Sequence, residues 1–225
     1  MSTHELAIEV EADLRVSGLL QVPARARACY VLAHGAGAGM THPFMTTVTQ
    51  GLSERGIASL RYQFPYMERG SRRPDAPRLA HATVRAAVAE AARRLPGLAL
   101  FAGGKSFGGR MTSQAQALSP LPGVRGLVFL GFPLHPAGKP SDERAAHLSD
   151  VDVPMLFLQG TRDELAQVDR LRVVVGRLGS RATLQLLDHA DHSFHVPVRS
   201  GRSDSQVMDD LLECTATWID AALKE

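Results

Sequence analysis

The sequence predicts an α/β fold: one domain of 225 residues with a mostly parallel central sheet and helices on both faces. Three observations predict it. Short apolar runs alternate with helix-periodic segments from about residue 28 to the end. The runs are continuously apolar, as strands buried on both faces require. His34, Ser106, Asp163 and His192 each follow such a run, and ligands gather at the carboxyl ends of strands in sheets of this kind.

The elements come in order. Residues 6–22 alternate apolar and polar, with Gly18 and Pro23 as interruptions, and predict one or two antiparallel strands at a sheet edge. Residues 29–33 form a short apolar run, a doubly buried strand. Residues 43–55 carry Phe44, Val48 and Leu52 at helical spacing, closed by Gly56. Residues 57–64 predict the next strand, and residues 65–77 a polar Pro/Gly loop. In residues 79–95, Leu79, Thr83, Ala86, Ala87, Glu90 and Arg94 fall in helical register, and Pro96-Gly97 closes the helix.

Residues 98–102 predict a buried strand and residues 107–118 a helix. Residues 124–132 are another strand. Residues 133–150 are irregular, long enough for a loop and a turn of helix but too short for a cap. Strand 153–159, helix 165–178, strand 182–187 and a closing helix 203–223 complete the chain. In the closing helix Val207, Leu211, Leu212, Thr215, Trp218 and Ile219 share a face.

Composition narrows the function classes. A hydrophobic content of 44% supports a core, and a net charge of +2 gives no reason to expect nucleic acid. The 22 arginines stand against three lysines and no asparagine, which indicates a coding bias rather than a basic function. Cys29 and Cys214 lack metal-ligand spacing and are expected as buried free thiols. The first residues do not resemble a signal peptide, and no apolar run reaches membrane-spanning length. A soluble cytoplasmic protein without a membrane partner is the expectation; the oligomeric state stays open.

Between strand 98–102 and helix 107–118 lies Gly104-Lys105-Ser106-Phe107-Gly108, which fits G-x-S-x-G, a tight strand–helix turn presenting a serine. The plainer alternative is a glycine-rich turn with an idle serine. A phosphate loop would need glycine at position 99, which is Ala99. After strand 29–33 comes His34-Gly-Ala-Gly-Ala-Gly39, whose backbone N–H groups can face a cavity. A dinucleotide loop would need glycine in place of Met40 and an acidic residue near Leu60-Arg61-Tyr62.

The order Ser106, Asp163, His192 is that of a nucleophile, an orienting acid and a base. His192 would take the serine proton and later return it to the leaving group, while Asp163 orients the ring. The backbone N–H groups of Phe107 and Ala36 would hold the oxyanion. Asp163 as a plain helix cap is the competing reading. His189 and His195 compete with His192. A metal site in this cluster would need histidine at Leu187, so neither metal nor cofactor is expected. Arg69, Arg72 and Arg73 lie in the 65–77 loop. Arg72 and Arg73 are candidate contacts for an anionic substrate, against the plainer reading of a solvated loop.

The chain resembles the α/β-hydrolase superfamily, especially its small dienelactone-hydrolase-like branch. The resemblance rests on His34-Gly-Ala-Gly, Gly104-Lys-Ser-Phe-Gly-Gly-Arg-Met, Gly160-Thr-Arg-Asp163 and Asp191-His-Ser-Phe194. Arg61-Tyr-Gln-Phe-Pro-Tyr-Met67 with Arg73-Pro-Asp75 resembles a little-characterised subgroup of that branch. The resemblance implies a serine hydrolase acting on small esters or thioesters through an acyl-enzyme. Dienelactone hydrolases themselves use a cysteine where this chain has Ser106. Eukaryotic relatives of the subgroup include a scaffold subunit of a histone-acetyltransferase complex. A non-catalytic protein-binding module is therefore the alternative expectation, with nucleotide binding a more distant one.

Overall fold

A computed structural model describes residues 2–224. Strands β1 (Ser2–Glu11), β2 (Leu14–Val22), β3 (Ala28–Ala33), β4 (Ile57–Tyr62), β5 (Ala99–Lys105), β6 (Val124–Leu130), β7 (Met155–Gly160) and β8 (Ala182–Leu187) form one sheet. Its order is β1-β2-β4-β3-β5-β6-β7-β8. β1 and β2 pair antiparallel at the edge and β2 pairs antiparallel with β4; from β4 to β8 every pairing is parallel. The edge hairpin and the doubly buried strands agree with the sequence pattern. Residues 28–33, 57–62 and 155–160 are buried throughout.

Helices α1 (Pro43–Glu54) and α6 (Asp204–Ala222) cover one face, where Tyr30, Leu32, Leu52, Leu211 and Ile219 belong to one core. Helices α3 (Pro77–Arg94), α4 (Phe107–Leu118) and α5 (Val168–Leu178) cover the other, where Val31, Val84, Met111, Phe129 and Leu171 pack. Alternate residues of β3 enter alternate cores, as the two-residue period of a strand dictates. Each fully buried leucine contributes about 1.5–3 kcal/mol, so both faces help hold the sheet.

Several sequence expectations need correction. Residues 65–77 are not all loop: α2 (Pro65–Glu68) forms one turn and buries Tyr66. The buried face of α3 is Ala80, Thr83, Val84, Ala87, Val88 and Ala91, while Leu79, Ala86 and Glu90 are only half-buried and Arg94 is exposed. Val84 and Val88, left out of the expected register, lie on the buried face with Thr83 and Ala87. α5 begins at Val168, because Asp163 organises a turn first, accepting from the Leu165 N–H at 2.8 Å. Residues 143–150 form a 3-10 segment. Cys29 is buried as expected, whereas Cys214 is half-buried.

The turn from β5 to α4 positions the site. It runs so close to β3 that a Cβ at Gly104 would lie 2.3 Å from the Ala33 carbonyl oxygen. One at Gly108 would lie 2.6 Å from the carbonyl oxygens of Ala33 and His34. Both distances are far inside van der Waals contact, and both obstacles are backbone. Replacing Gly104 with alanine is therefore expected to cost several kcal/mol, on the order of a severe overpacking defect or more. Gly176, exposed within α5, has nothing within 4 Å of a built Cβ. There alanine should stabilise by about 0.5–1 kcal/mol. Urea denaturation of the two variants checks the contrast.

Candidate active site

Four loops at the carboxyl edge of the sheet bring the site together. Ser106 stands at the head of α4 with φ 50° and ψ −113°, a left-handed conformation for a residue with a side chain. Its N–H donates to the Leu130 carbonyl at 3.2 Å, tying the turn to β6. The strain turns Oγ out of the sheet. Ser106 Oγ lies 2.9 Å from His192 Nε2, and His192 Nδ1 lies 2.6 Å from Asp163 Oδ2. The Asp163 carboxylate therefore places the imidazole proton on Nδ1 and leaves Nε2 free to accept from the hydroxyl. Asp163 is fully enclosed, and it also accepts from Gln159 Nε2 and the Leu165 N–H.

The His192 loop is held on three sides. Asp191 Oδ1 accepts from the N–H groups of Ser193 and His195, at 2.7 and 3.0 Å. Phe194, at φ 65°, stacks on Phe44 with ring centres 5.7 Å apart. Lys105 donates from Nζ to the His192 carbonyl and sits 5.1 Å above the Phe194 ring. Burial pushes its amine down to about 8, against the pull of Asp163 and Asp191. The strand-following loop also passes over Gly160, where a Cβ would lie 2.3 Å from the Ala190 carbonyl oxygen. His189 is exposed, and His195 pairs with Asp204 at 2.7 Å, so of the three histidines only His192 reaches the serine.

The loop after β3 is fixed by the segment after β4. The Phe64 N–H donates to His34 Nε2 at 3.0 Å, and His34 Nδ1 donates to the Gly35 carbonyl at 2.7 Å. His34 is wholly buried and neutral, its pKa lowered to about 4 by burial. The Gly37 N–H donates to Tyr66 Oη at 3.1 Å and the Met40 N–H to Gln63 Oε1 at 2.8 Å. Arg61 holds the Met40 carbonyl at 3.2 Å, and Asp75 accepts from the Tyr66 N–H at 2.8 Å. The Arg61-Tyr-Gln-Phe-Pro-Tyr segment thus braces a loop whose exposed Ala36 faces the serine. Phe107, the first residue of α4, has no carbonyl one turn back for its N–H.

Two hollows meet at Ser106. One, of about 390 Å³, is lined by Phe44, Met45, Lys105 and His192. The other, of about 430 Å³, is lined by Phe107, Arg110, Pro133 and Arg144. Ala36, Ser106 and Leu165 border both. Arg72 and Arg73 are exposed and line neither hollow; Arg69 pairs with Asp75 at 2.6 Å. The arginines that line a hollow with Ser106 are Arg110 and Arg144, brought there by α4 and the 3-10 segment. Sequence reasoning missed these two, together with Lys105, Gln159 and Tyr66. Lys105 and Arg110 lie in the stretch around the serine and Tyr66 in the Arg61–Met67 stretch, whereas Gln159 and Arg144 left no signal in the sequence.

The arrangement can move a proton from a hydroxyl to an imidazole. A sheet covered on both faces, with a serine at a strained strand–helix turn, defines an α/β-hydrolase-type protein. The chain belongs to the α/β hydrolase domain family, which its residues 26–220 match. Among solved structures it is similar to a dienelactone hydrolase from Anabaena variabilis, at 19% identity and a TM-score of 0.80 over 98% of this chain and 97% of that one. It is similar to an α/β serine hydrolase homologue from Coxiella burnetii, at 18% identity and a TM-score of 0.76 over 95% and 97%. A member of the α/β serine hydrolases without lid from Xanthomonas campestris gives 20% identity and a TM-score of 0.75 over 96% and 94%.

The buried histidines set an acid limit on stability. Burial lowers His34 and His147 to about 4 each. An unfolded imidazole takes its proton near pH 6.5, so between there and pH 4 the unfolded chain binds more protons and acid favours it. Stability is full above pH 6.5 and falls towards pH 4, with His34 alone contributing up to about 3 kcal/mol of the loss. Urea midpoints between pH 7 and 4 should drop steeply for the wild type and less steeply for His34→Ala. Equal slopes would refute the assignment to His34.

Proposed function

We propose that this protein is a serine hydrolase that cleaves small carboxylic esters or thioesters through an acyl-enzyme on Ser106. The observation carrying this reading is the continuous hydrogen-bonded chain from Ser106 Oγ through His192 to the enclosed Asp163 carboxylate. A serine hydroxyl attacks a carbonyl only as a base removes its proton, and His192 Nε2 is placed to do so. The oxygen that becomes negative would meet the N–H groups of Phe107 and Ala36, with the start of α4 adding its positive end. His192 then protonates the leaving alcohol or thiol. Water, deprotonated by the same imidazole, releases the acid and restores the serine.

The cysteines do not compete for the role. Cys29 lies inside β3, where burial pushes its thiol up to about 12, and burial raises Cys214 as well. The names of the similar structures, a dienelactone hydrolase and an esterase domain among them, agree with ester chemistry. Residues 133–150 hold a single 3-10 segment, and the hollows bordering Ser106 measure about 390 and 430 Å³, which supports small substrates. A protein-binding module without activity has no need of an enclosed carboxylate aligned on a histidine and a strained serine.

A fluorophosphonate probe should label the wild type and not Ser106→Ala; labelling that survives the substitution would sink the assignment. On a panel of ethyl esters, kcat/KM should be highest for short acyl chains. Methylenes beyond the hollows forgo burial of about 0.8 kcal/mol each. A preference for chains longer than about ten carbons would contradict the compact site.

A further inference from the structure

We infer that Arg110 and Arg144 form a subsite for a carboxylate on the substrate, so that the preferred esters are small and monoanionic. The inference rests on the serine-hydrolase reading and specifies its substrate class. Both arginines line the hollow that Ser106 and Phe107 border. Arg110 is on the first turn of α4, its guanidinium 6.0 Å from the Phe107 ring. Arg144 comes from the 3-10 segment after β6.

Among the described residues neither guanidinium is ion-paired with a carboxylate, as is true of about half of the arginines, but these two line a hollow that the nucleophile borders. Arg27, Arg55, Arg69, Arg93, Arg177 and Arg202 each hold an aspartate or glutamate within 4.0 Å. Arg110 and Arg144 hold none, and the enclosed Arg110 Nε has no acceptor. Both line the same hollow, where burial lowers the pKa of Arg110 and the charge of Arg144 lowers it further. Nearby His81 and His147 are both lowered by burial and by the Arg110 charge, and supply no anion. Two half-buried cations on one hollow, neither paired with a carboxylate, are costly, and an anion in the hollow offsets the cost.

The hollow also says which anion. Asp75 is on its wall, but both carboxylate oxygens are occupied, one by the Tyr66 N–H and the other by Arg69. The Asp75–Arg69 pair is neutral as a whole, which leaves Arg110 and Arg144 to meet the carboxylate of a substrate. The planar guanidinium fork matches a carboxylate in two hydrogen bonds. The second hollow, lined by Phe44 and Met45, takes the uncharged arm of the same ester.

The test compares three esters that share a five-carbon acyl chain. Ethyl pentanoate is neutral, monoethyl glutarate carries the acid on the acyl side, and pentanoyloxyacetate carries it on the alcohol side. The wild type should favour at least one acid ester over ethyl pentanoate by about 10-fold in kcat/KM, as a charged hydrogen bond supplies. The favoured ester identifies the arm that enters the subsite. Arg144→Gln, at a half-exposed position, should lower kcat/KM for that ester about 10-fold more than for ethyl pentanoate, chiefly through KM. The preference should shrink as salt rises. Equal losses on all three esters, or no preference in the wild type, would overturn the subsite. If no ester is turned over, the hydrolase reading fails by itself. Calorimetry with glutarate then decides the subsite separately: binding lost in Arg144→Gln supports it, and no binding to the wild type overturns it.

Discussion

Backbone meets backbone where the β5–α4 turn crosses the end of β3, and no side chain fits between them. Gly104 and Gly108 are the residues at the crossing, each with a carbonyl oxygen of β3 or its loop where a Cβ would stand. This contact sets the position of Ser106, because a turn so tight leaves the serine no ordinary backbone conformation. It also sets the distance between Ser106 and the loop that carries Ala36. A looser crossing would move the hydroxyl away from that loop.

Around that fixed point the remaining parts are held by separate devices. His34, neutral and enclosed, takes the Phe64 N–H and so ties the β3 loop to the end of β4. Gly160 lets the β8 loop pass over β7, bringing His192 back towards the serine. Lys105 holds that loop from below by its carbonyl. The strain at Ser106 is sustained because several independent contacts oppose its release, each worth about 1 kcal/mol or more where it is buried. Stability is thereby concentrated in the same edge that carries the chemistry.

The sheet, the order of its strands along the chain and the elbow were legible in the sequence because they are local. Apolar runs, glycines at fixed offsets and a serine between strand and helix all lie within a dozen residues. Ser106, Asp163 and His192 were legible through their positions after strands, and the structure places their side chains in hydrogen-bonded sequence. What was not legible depends on distant returns of the chain. Arg144 reaches the site only because the segment after β6 folds back over α4, whereas Arg72 and Arg73, though close to the site along the backbone, turn away into solvent. Tyr66 stood in the Arg61–Met67 stretch without a role, and its hydroxyl is explained only by the Gly37 N–H it accepts from. In α3 the expected face shares only Thr83 and Ala87 with the buried one, which Val84 and Val88 also line.

The central claim is that Ser106 carries the acyl group. Intact-protein mass spectrometry tests it most directly, after brief mixing with 4-nitrophenyl dimethylcarbamate, whose acyl product leaves the enzyme slowly. The account predicts one dimethylcarbamoyl group per chain, mapped to the peptide containing Ser106 and absent in His192→Ala. An adduct on Lys105 or on a cysteine, or one at Ser106 that forms equally fast without His192, would contradict it.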